Sequence, residues 1–170
     1  GVRVYSKGPS LLENTTLEQN LTDVYRGSLN LGDIDNDGDL DLVLTGEGLS
    51  VTAKIYKYNG TAFKENKSWQ QNLTAVYWGT VAFGDIDNDG DLDLILSGYS
   101  SNGRVSKVYL NNGTSLVESK KWQQNLTKID YSAMVLGDID NDKDLDLILT
   151  GRESPGLDRS KVYLNNGTSL

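Results

Sequence analysis

Apolar and polar residues alternate in three similar stretches of the chain, which read LDLVL, LDLIL and LDLIL. Alternation with a period of two is typical of a β-strand with one buried face, and no helical period extends over a comparable length. A shorter apolar stretch precedes each of them and leads into an acidic segment. The predicted first strands are residues 28–31, 80–83 and 133–136, and the predicted second strands are residues 40–44, 92–96 and 145–149.

The whole pattern recurs along the chain. Asp33, Asp85 and Asp138 begin equivalent acidic segments and are separated by 52 and 53 residues. The tetrapeptide QNLT also recurs, at residues 19–22, 71–74 and 124–127. Repetition at such a period indicates tandem structural units that stack on one another.

Each unit is predicted to contain a third and a fourth strand. The third strand is marked by the pairs Val4-Tyr5, Ile55-Tyr56, Val108-Tyr109 and Val162-Tyr163. An Asn-Gly dipeptide, which is a strong signal for a hairpin turn, follows the last three pairs as Asn59-Gly60, Asn112-Gly113 and Asn166-Gly167. Gly8-Pro9 takes its place in the N-terminal copy. We expect the fourth strands to carry Leu17, Trp69 and Trp122.

The sequence therefore predicts an all-β chain of tandem four-stranded antiparallel units, with incomplete units at both ends. Residues 1–18 are predicted to be a partial unit with a third and a fourth strand. The predicted complete repeats are residues 19–71 and 72–124, and the third, incomplete repeat is residues 125–170.

Charge is concentrated in the acidic segments. The 170 residues carry a net charge of −8, and 15 of the 24 acidic residues lie in the three segments. No basic stripe suggests nucleic-acid binding. Cysteine and histidine are absent, which excludes disulfides, thiolate metal sites and the usual general base. No apolar run is long enough to predict a membrane span, and because residue 1 is glycine we expect a mature or partial product of a longer chain.

The acidic segments read DIDNDGDLDL at 33–42 and 85–94, and DIDNDKDLDL at 138–147. Two carboxylates about 4 Å apart repel by about 4 kcal/mol at an effective dielectric of about 20, so five within nine residues require a counter-charge. Oxygen ligands at alternate positions suit a hard cation such as calcium. An EF-hand is excluded, because it needs a glutamate at position 12, where this chain has Leu44, Leu96 and Leu149.

Each predicted calcium loop offers four carboxylates, at positions 1, 3, 5 and 9, and a backbone carbonyl at position 7. In loop 33–41 the carboxylates are Asp33, Asp35, Asp37 and Asp41, and the carbonyl is that of Asp39. In loop 85–93 they are Asp85, Asp87, Asp89 and Asp93, with Asp91. In loop 138–146 they are Asp138, Asp140, Asp142 and Asp146, with Asp144. A solvated acidic turn is the alternative, and three matching copies argue against it.

The segments LGDIDNDGDLDLVLTG (31–46), FGDIDNDGDLDLILSG (83–98) and LGDIDNDKDLDLILTG (136–151) resemble the FG-GAP or VCBS repeat. The resemblance implies blades of a β-propeller with about one calcium ion each, commonly in extracellular adhesion or surface proteins. Lys143 stands where that repeat has glycine. A non-glycine residue with a left-handed backbone costs roughly 1 kcal/mol, so we expect the third loop to bind calcium more weakly.

Eight Asn-x-Ser/Thr sequons predict N-glycosylation if the chain is secreted. The acceptors are Asn14, Asn20, Asn59, Asn66, Asn72, Asn112, Asn125 and Asn166. The Asn-Gly-Thr cases also have a turn-forming explanation. Trp69, Trp78 and Trp122 could line a sugar site, as could Tyr25 and Tyr77, although their recurrence favours packing between repeats.

The sequence predicts a non-enzymatic, calcium-stabilised extracellular module that serves as a scaffold, an adhesion surface or a self-assembling subunit of a ring or filament. The expected partners are further copies or the rest of a longer repeat chain, joined through open strand edges, and glycans. Residues 1–18 are expected to complete a sheet of a neighbouring copy. A lectin-like carbohydrate-binding propeller and an accessory region of a larger secreted enzyme are the alternatives. Calcium ligation accounts for the paired carboxylates, which disfavours a glycosidase.

Overall fold

Three antiparallel β-sheets, one for each repeat, dominate the computed structural model, which describes residues 5–6 and 12–170. The first sheet contains β3 (Tyr25–Gly32), β4 (Asp41–Glu47), β5 (Val51–Tyr58) and β6 (Phe63–Glu65). The second contains β7 (Tyr77–Gly84), β8 (Asp93–Ser100), β9 (Gly103–Asn111) and β10 (Leu116–Glu118). The third contains β11 (Asp130–Gly137), β12 (Asp146–Ser154) and β13 (Leu157–Tyr163).

Each sheet is a simple meander in which consecutive strands are neighbours. The predicted all-β class and the antiparallel units are confirmed, and the described sheets do not close into a ring. The observed first and second strands contain most of the predicted segments and extend beyond them. In the first sheet, for example, Gly32 pairs with Asp41 and Leu42 pairs with Tyr56.

The predicted position of the tryptophans is wrong, because Leu17, Trp69 and Trp122 lie on one-turn helices and not on fourth strands. These helices are α1 (Thr15–Glu18), α2 (Lys67–Gln70) and α3 (Lys120–Gln123), and α2 and α3 follow the short fourth strands β6 and β10. Asn66 Oδ1 accepts a hydrogen bond from the amide of Trp69 at 3.3 Å, and Ser119 Oγ caps α3 in the same way. A polar cap therefore ends the strand and begins a helical turn.

Residues 1–18 were predicted to supply a third and a fourth strand. The described part of this segment contains the short strands β1 (Tyr5–Ser6) and β2 (Leu12–Glu13), which pair with one another. Residues 1–4 and 7–11, including the predicted Gly8-Pro9 turn, lie outside the described residues.

Two hydrophobic clusters among the described residues lie between neighbouring sheets, and a third lies on the first sheet and contains Leu21, Leu42, Leu44, Tyr56 and Phe63. The first cluster combines Ile34, Val43, Ile55 and Trp69 of the first repeat with Val76, Val81, Leu94, Leu96, Tyr109 and Leu116 of the second. The next combines Ile86, Ile95, Val108 and Trp122 of the second repeat with Leu126, Ile129, Leu147, Leu149 and Leu170 of the third. Trp69 and Trp122 are 6% and 4% exposed, so the expected packing of these two side chains between repeats is confirmed.

A tyrosine on each third strand makes hydrogen bonds to the chain segment that precedes the first strand of the same sheet. The hydroxyl of buried Tyr109 accepts a hydrogen bond from the Thr74 amide at 3.0 Å and donates one to Thr74 Oγ1 at 3.0 Å. Tyr56 and Tyr163 make equivalent bonds to Thr22 and Thr127. The recurring QNLT and Val-Tyr signatures are therefore parts of one contact.

The Tyr109→Phe substitution should lower the free energy of unfolding by about 1–3 kcal/mol. The partly buried amide of Thr74 would lose its hydrogen-bond acceptor. Urea denaturation monitored by tryptophan fluorescence would measure the change. Tyr99→Phe is the matched control, since no hydrogen bond of the Tyr99 hydroxyl occurs among the described residues. Equal stability of the two variants would contradict the proposed role of the tyrosine.

Candidate functional site

Each acidic segment forms the loop between the first and second strands of its sheet, and the first aspartate of the loop closes it. Asp33 Oδ1 accepts a hydrogen bond from the Asp37 amide at 3.0 Å, and Asp33 Oδ2 accepts one from the Gly38 amide at 2.9 Å. Asp85 and Asp138 make the same pair of bonds in the other loops. Three loops with the same sequence pattern therefore have the same fold.

Position 6 of each loop has a left-handed backbone, as the sequence predicted. The φ angles are 91° at Gly38, 94° at Gly90 and 80° at Lys143. The asparagine at position 4 is also left-handed, with φ of 57° at Asn36 and 59° at Asn88, and sequence reasoning missed it. Asparagine tolerates this conformation better than most residues, so two positions shape the turn.

The last aspartate of each loop is buried at the start of the second strand. Asp41, Asp93 and Asp146 are each 0% exposed. Asp93 accepts hydrogen bonds from the amides of Ile86 and Asn111 at 2.9 and 2.8 Å. These bonds anchor the loop to its own first residues and to the end of the third strand.

Burial raises the pKa of Asp93 from its ordinary value of 3.8 to about 6, and burial also raises the pKa of Asp41. The charged Asp93 carboxylate therefore destabilises the metal-free fold above pH 6, and this cost disappears as the pH falls towards 3.8. A bound cation would favour the charged form. Protons and a cation would therefore compete for Asp93.

Carboxylate oxygens converge in every loop, within 4.8 Å of one another. The converging residues are Asp33, Asp35 and Asp37 in the first loop, Asp85, Asp87 and Asp93 in the second, and Asp138, Asp140 and Asp146 in the third. Each group is a subset of the predicted carboxylate ligands. Buried oxygens of Asp35, Asp41 and Asp87 have no hydrogen-bond partner. An oxygen-only donor set with unpartnered buried atoms fits a hard cation.

The aspartate at position 7 connects neighbouring loops through its side chain. Asn36 Nδ2 donates to Asp91 Oδ1 of the next repeat at 2.7 Å, and Asn88 Nδ2 donates to Asp144 Oδ1 at 2.7 Å. The sequence had suggested only a backbone carbonyl ligand at Asp39, Asp91 and Asp144, which stays a prediction. The side-chain contact between repeats was not anticipated.

Lys57 makes the first loop different from the other two. Its ammonium contacts Asp35 Oδ2 and lies 3.5 Å from Asp37 Oδ2. The equivalent residues of the second and third repeats are Leu110 and Leu164. Sequence reasoning missed Lys57, although an alignment of the three repeats shows a lysine where the other copies have leucine. The first loop thus contains a positive charge supplied by the protein itself.

A column of aromatic and arginine side chains lies at the opposite ends of the strands. The rings of Trp78 and Tyr131 stack at 4.6 Å with an interplanar angle of 20°. The guanidinium of Arg26 lies 4.7 Å from the centre of the Trp78 ring, and that of Arg152 lies 4.3 Å from the Tyr131 ring. Arg26, Trp78 and Tyr131 occupy equivalent positions with left-handed φ angles of 53°, 50° and 48°. Trp78 thus packs between repeats, as expected, but near the surface.

The eight sequon asparagines lie in turns, at helix caps and in connections between repeats. Six of them are exposed, namely Asn20, Asn59, Asn72, Asn112, Asn125 and Asn166. Asn14 and Asn66 are half-buried and cap α1 and α2 through Oδ1. The exposure of these six asparagines is compatible with glycan attachment. Glycosylation of the eight sequon asparagines stays a prediction.

The family model of the FG-GAP-like repeat matches residues 33–96, from the first acidic loop into β8. This match confirms the resemblance found in the sequence over residues 33–96, which are less than half of the 170-residue chain. No curated protein matches the chain.

Among solved structures, the chain is similar to that of a lectin from Agrocybe aegerita that is described as recognising non-reducing terminal N-acetylglucosamine. The sequence identity is 16% and the TM-score is 0.49, over 84% of this chain and 39% of the lectin chain. This chain therefore spans less than half the length of that protein. Among the described residues, no helix is long and apolar enough to cross a membrane.

The Lys57→Leu substitution introduces the residue type that the other two repeats have at this position. It should tighten calcium binding by the first loop about tenfold, which corresponds to about 1.4 kcal/mol of binding free energy. The ammonium would no longer compete for Asp35 and Asp37. Calorimetric titration would measure the affinity in a background that carries Asp87→Asn and Asp140→Asn to weaken the other loops.

Lys54→Leu is the matched control, because Lys54 lies on the same strand and pairs with Glu65 at 3.0 Å. It should leave the affinity of the first loop unchanged. If Lys57→Leu and Lys54→Leu bind calcium with the affinity of the parent background, Lys57 does not compete for the loop.

Proposed function

We propose that this chain is a non-enzymatic, calcium-stabilised module with a structural or adhesive role outside the cell. The observation that carries the proposal is the convergence of three carboxylates in each loop, with buried oxygens of Asp35, Asp41 and Asp87 that lack hydrogen-bond partners. Such atoms are costly to bury unless a cation or a donor satisfies them. One ion per repeat would satisfy them.

Calcium is the cation that the donor set favours. All candidate ligands are oxygen atoms, and the full sequence contains neither cysteine nor histidine, the ligands that zinc and copper prefer. Magnesium needs near-ideal octahedral geometry and gives up its water reluctantly, whereas calcium accepts six to eight ligands in flexible arrangements. A loop that offers several carboxylates therefore suits calcium better.

The position of the loops argues for a stabilising role. Each loop joins the first two strands of its sheet and holds a buried aspartate at the start of the second strand. A ligand that binds only the folded state at 100 times its dissociation constant stabilises that state by about 2.7 kcal/mol. Bound ions would thus fix the loops whose side chains, Asn36 with Asp91 and Asn88 with Asp144, connect the repeats.

The extracellular location and the absence of catalysis are parts of the proposal. Calcium at the concentrations found outside cells can saturate weak sites, with dissociation constants of about 10⁻⁴–10⁻³ M. The six exposed sequon asparagines fit a secreted glycoprotein. The converging carboxylates have a structural role in this proposal, which leaves them no catalytic one. The same stabilising role for calcium would apply to the alternative in which this chain is an accessory region of a larger secreted enzyme.

Removal of calcium by a chelator should lower the melting temperature, and added calcium should restore it more fully than magnesium. Differential scanning calorimetry would measure both. Asp87→Asn should reduce the calcium-induced shift, since it weakens one of three sites. Asp158→Asn is the matched control, because Asp158 is exposed and distant in sequence from every loop. A melting temperature that does not respond to chelation would refute the calcium role.

Carbohydrate binding is the second candidate function, and the column of Arg26, Trp78 and Tyr131 favours it. Aromatic rings and guanidinium groups offer apolar faces and hydrogen-bond donors together, and Tyr131 is 52% exposed. A glycan array with the calcium-loaded chain would test this function. Binding should be lost in Tyr131→Ala and retained in Val117→Ala, which alters an exposed residue on β10. The absence of binding to any glycan would remove this candidate.

A further inference from the structure

Two buried asparagines connect the acidic loops of neighbouring repeats. Asn111 ends β9 and Asn165 lies two residues after β13, and each precedes the Asn-Gly pair of its repeat. Asn111 is 3% exposed and Asn165 is 2% exposed. A buried amide side chain needs partners for both its oxygen and its nitrogen, and the partners of these two nitrogens lie in two different loops.

The side-chain nitrogen of each asparagine bridges one loop to the next. Asn111 Nδ2 donates hydrogen bonds to the Ile34 carbonyl of the first loop at 2.8 Å and to the Leu92 carbonyl of the second loop at 3.2 Å. Asn165 Nδ2 donates to the Ile86 carbonyl of the second loop at 2.8 Å and makes the equivalent bond in the third loop at 3.3 Å. Each nitrogen thus uses both of its hydrogens to join two loops.

The backbone and the side-chain oxygen of the same residue hold this bridge in place. The Asn111 amide donates to Oδ1 of the buried Asp93 at 2.8 Å, and Asn111 Oδ1 accepts a hydrogen bond from the Gly113 amide at 2.9 Å. Asn165 makes the equivalent bonds in the third repeat. Each asparagine therefore holds the last aspartate of the loop in its own repeat and the start of the preceding loop at the same time.

The bridged carbonyls lie beside predicted calcium ligands. Ile34 lies between Asp33 and Asp35, and Ile86 occupies the same position in the second loop. A shift of either carbonyl would move the aspartates on both sides of it, because they share the same short stretch of backbone. The asparagines are not predicted ligands themselves, so they act on the loops by positioning the residues that are.

A second connection at each junction lies nearer the surface. Asn88 Nδ2 of the second loop donates to Asp144 Oδ1 of the third loop at 2.7 Å, and the Asp144 amide donates to Oδ1 of the predicted ligand Asp142 at 2.9 Å. Asn36 makes the equivalent bond to the Asp91 side chain. The second and third loops are thus joined at two places, one buried and one exposed.

We infer that Asn111 and Asn165 are positioning residues that couple calcium binding between consecutive loops, so that an ion in one loop raises the affinity of the next. A loop that an ion holds closed keeps its carbonyl and its asparagine in fixed places, and the adjoining loop then loses less conformational freedom when it binds. Such coupling is reciprocal by thermodynamic linkage. The inference rests on the proposed calcium role and goes beyond it, because that role alone allows three independent sites.

Electrostatic forces act in the opposite direction, because an ion in one loop weakens the negative potential at the neighbouring loop. Salt at about 0.15 M, where the Debye length is about 8 Å, screens this effect. Asparagine carries no charge, so its replacement by an uncharged residue leaves the electrostatic part unchanged. Any dependence between loops that disappears with Asn165 is therefore the part that its hydrogen bonds transmit.

Hydrogen exchange of the third loop during a calcium titration, followed by mass spectrometry, would test the inference, since the amides of Asp142 and Lys143 are bonded within that loop. Asp87→Asn, which weakens the second loop, should raise the calcium midpoint of the third loop by about fivefold or more. In a chain that carries Asn165→Leu, the same change should shift that midpoint by less than about twofold. Asn88→Gly removes the exposed bond and suits the left-handed backbone at this position, so it should reduce the shift in part.

Ser106→Ala is the matched control, because the Oγ of buried Ser106 donates to the Thr127 carbonyl at 2.7 Å and joins the second and third repeats outside the loops. It should lower the melting temperature and leave the coupling between the loops unchanged.

Two results would overturn the inference and leave the calcium role standing. One is a third-loop midpoint that Asp87→Asn does not move, and the other is an equal shift in the parent, Asn165→Leu and Asn88→Gly chains. If Asn165→Leu does not fold, an equal shift in the parent and Asn88→Gly chains is sufficient to overturn it. A chain that binds no calcium would overturn both the inference and the calcium role.

Discussion

Each acidic loop brings several carboxylates close together, and their mutual repulsion has to be offset before the flanking strands can pair. The acidic loops connect the first and second strands of every sheet, so their conformation sets where each sheet begins. Asp33 and its equivalents close the loops through backbone amides, while Asp41, Asp93 and Asp146 are buried at the strand ends. Amide hydrogen bonds offset part of the cost of this burial. The raised pKa of Asp93, at about 6, shows that they do not offset all of it.

The same loops also set the spacing between repeats. Asn36 and Asn88 reach the acidic loops of the following repeats, and the residues that flank the loops, Gly32 and Gly84, receive side chains of those repeats. Loop conformation and packing between sheets are therefore coupled. A cation that orders one loop would order the contact with its neighbour as well, which explains how a local charge site can stabilise a stacked array.

Differences among the three repeats are concentrated at a few equivalent positions. Lys57 brings an ammonium group to the first loop where the other repeats have leucine. Tyr58 removes a donor that connects the later repeats to the preceding ones, and Lys143 occupies a left-handed position that glycine fills elsewhere. Similar backbones thus give three loops with different electrostatic surroundings.

Features that depend on neighbours along the chain can be predicted from the sequence alone. Period-two alternation predicted the first and second strands, Asn59-Gly60 and Asn112-Gly113 predicted the turns of two hairpins, and the alternating aspartates predicted the carboxylate clusters. Tertiary folding was needed to place Lys57 against the first acidic loop and Asn36 beside Asp91. These contacts join residues on different strands or different sheets, so they depend on how the sheets stack, and a periodic pattern along the chain carries no information about that stacking.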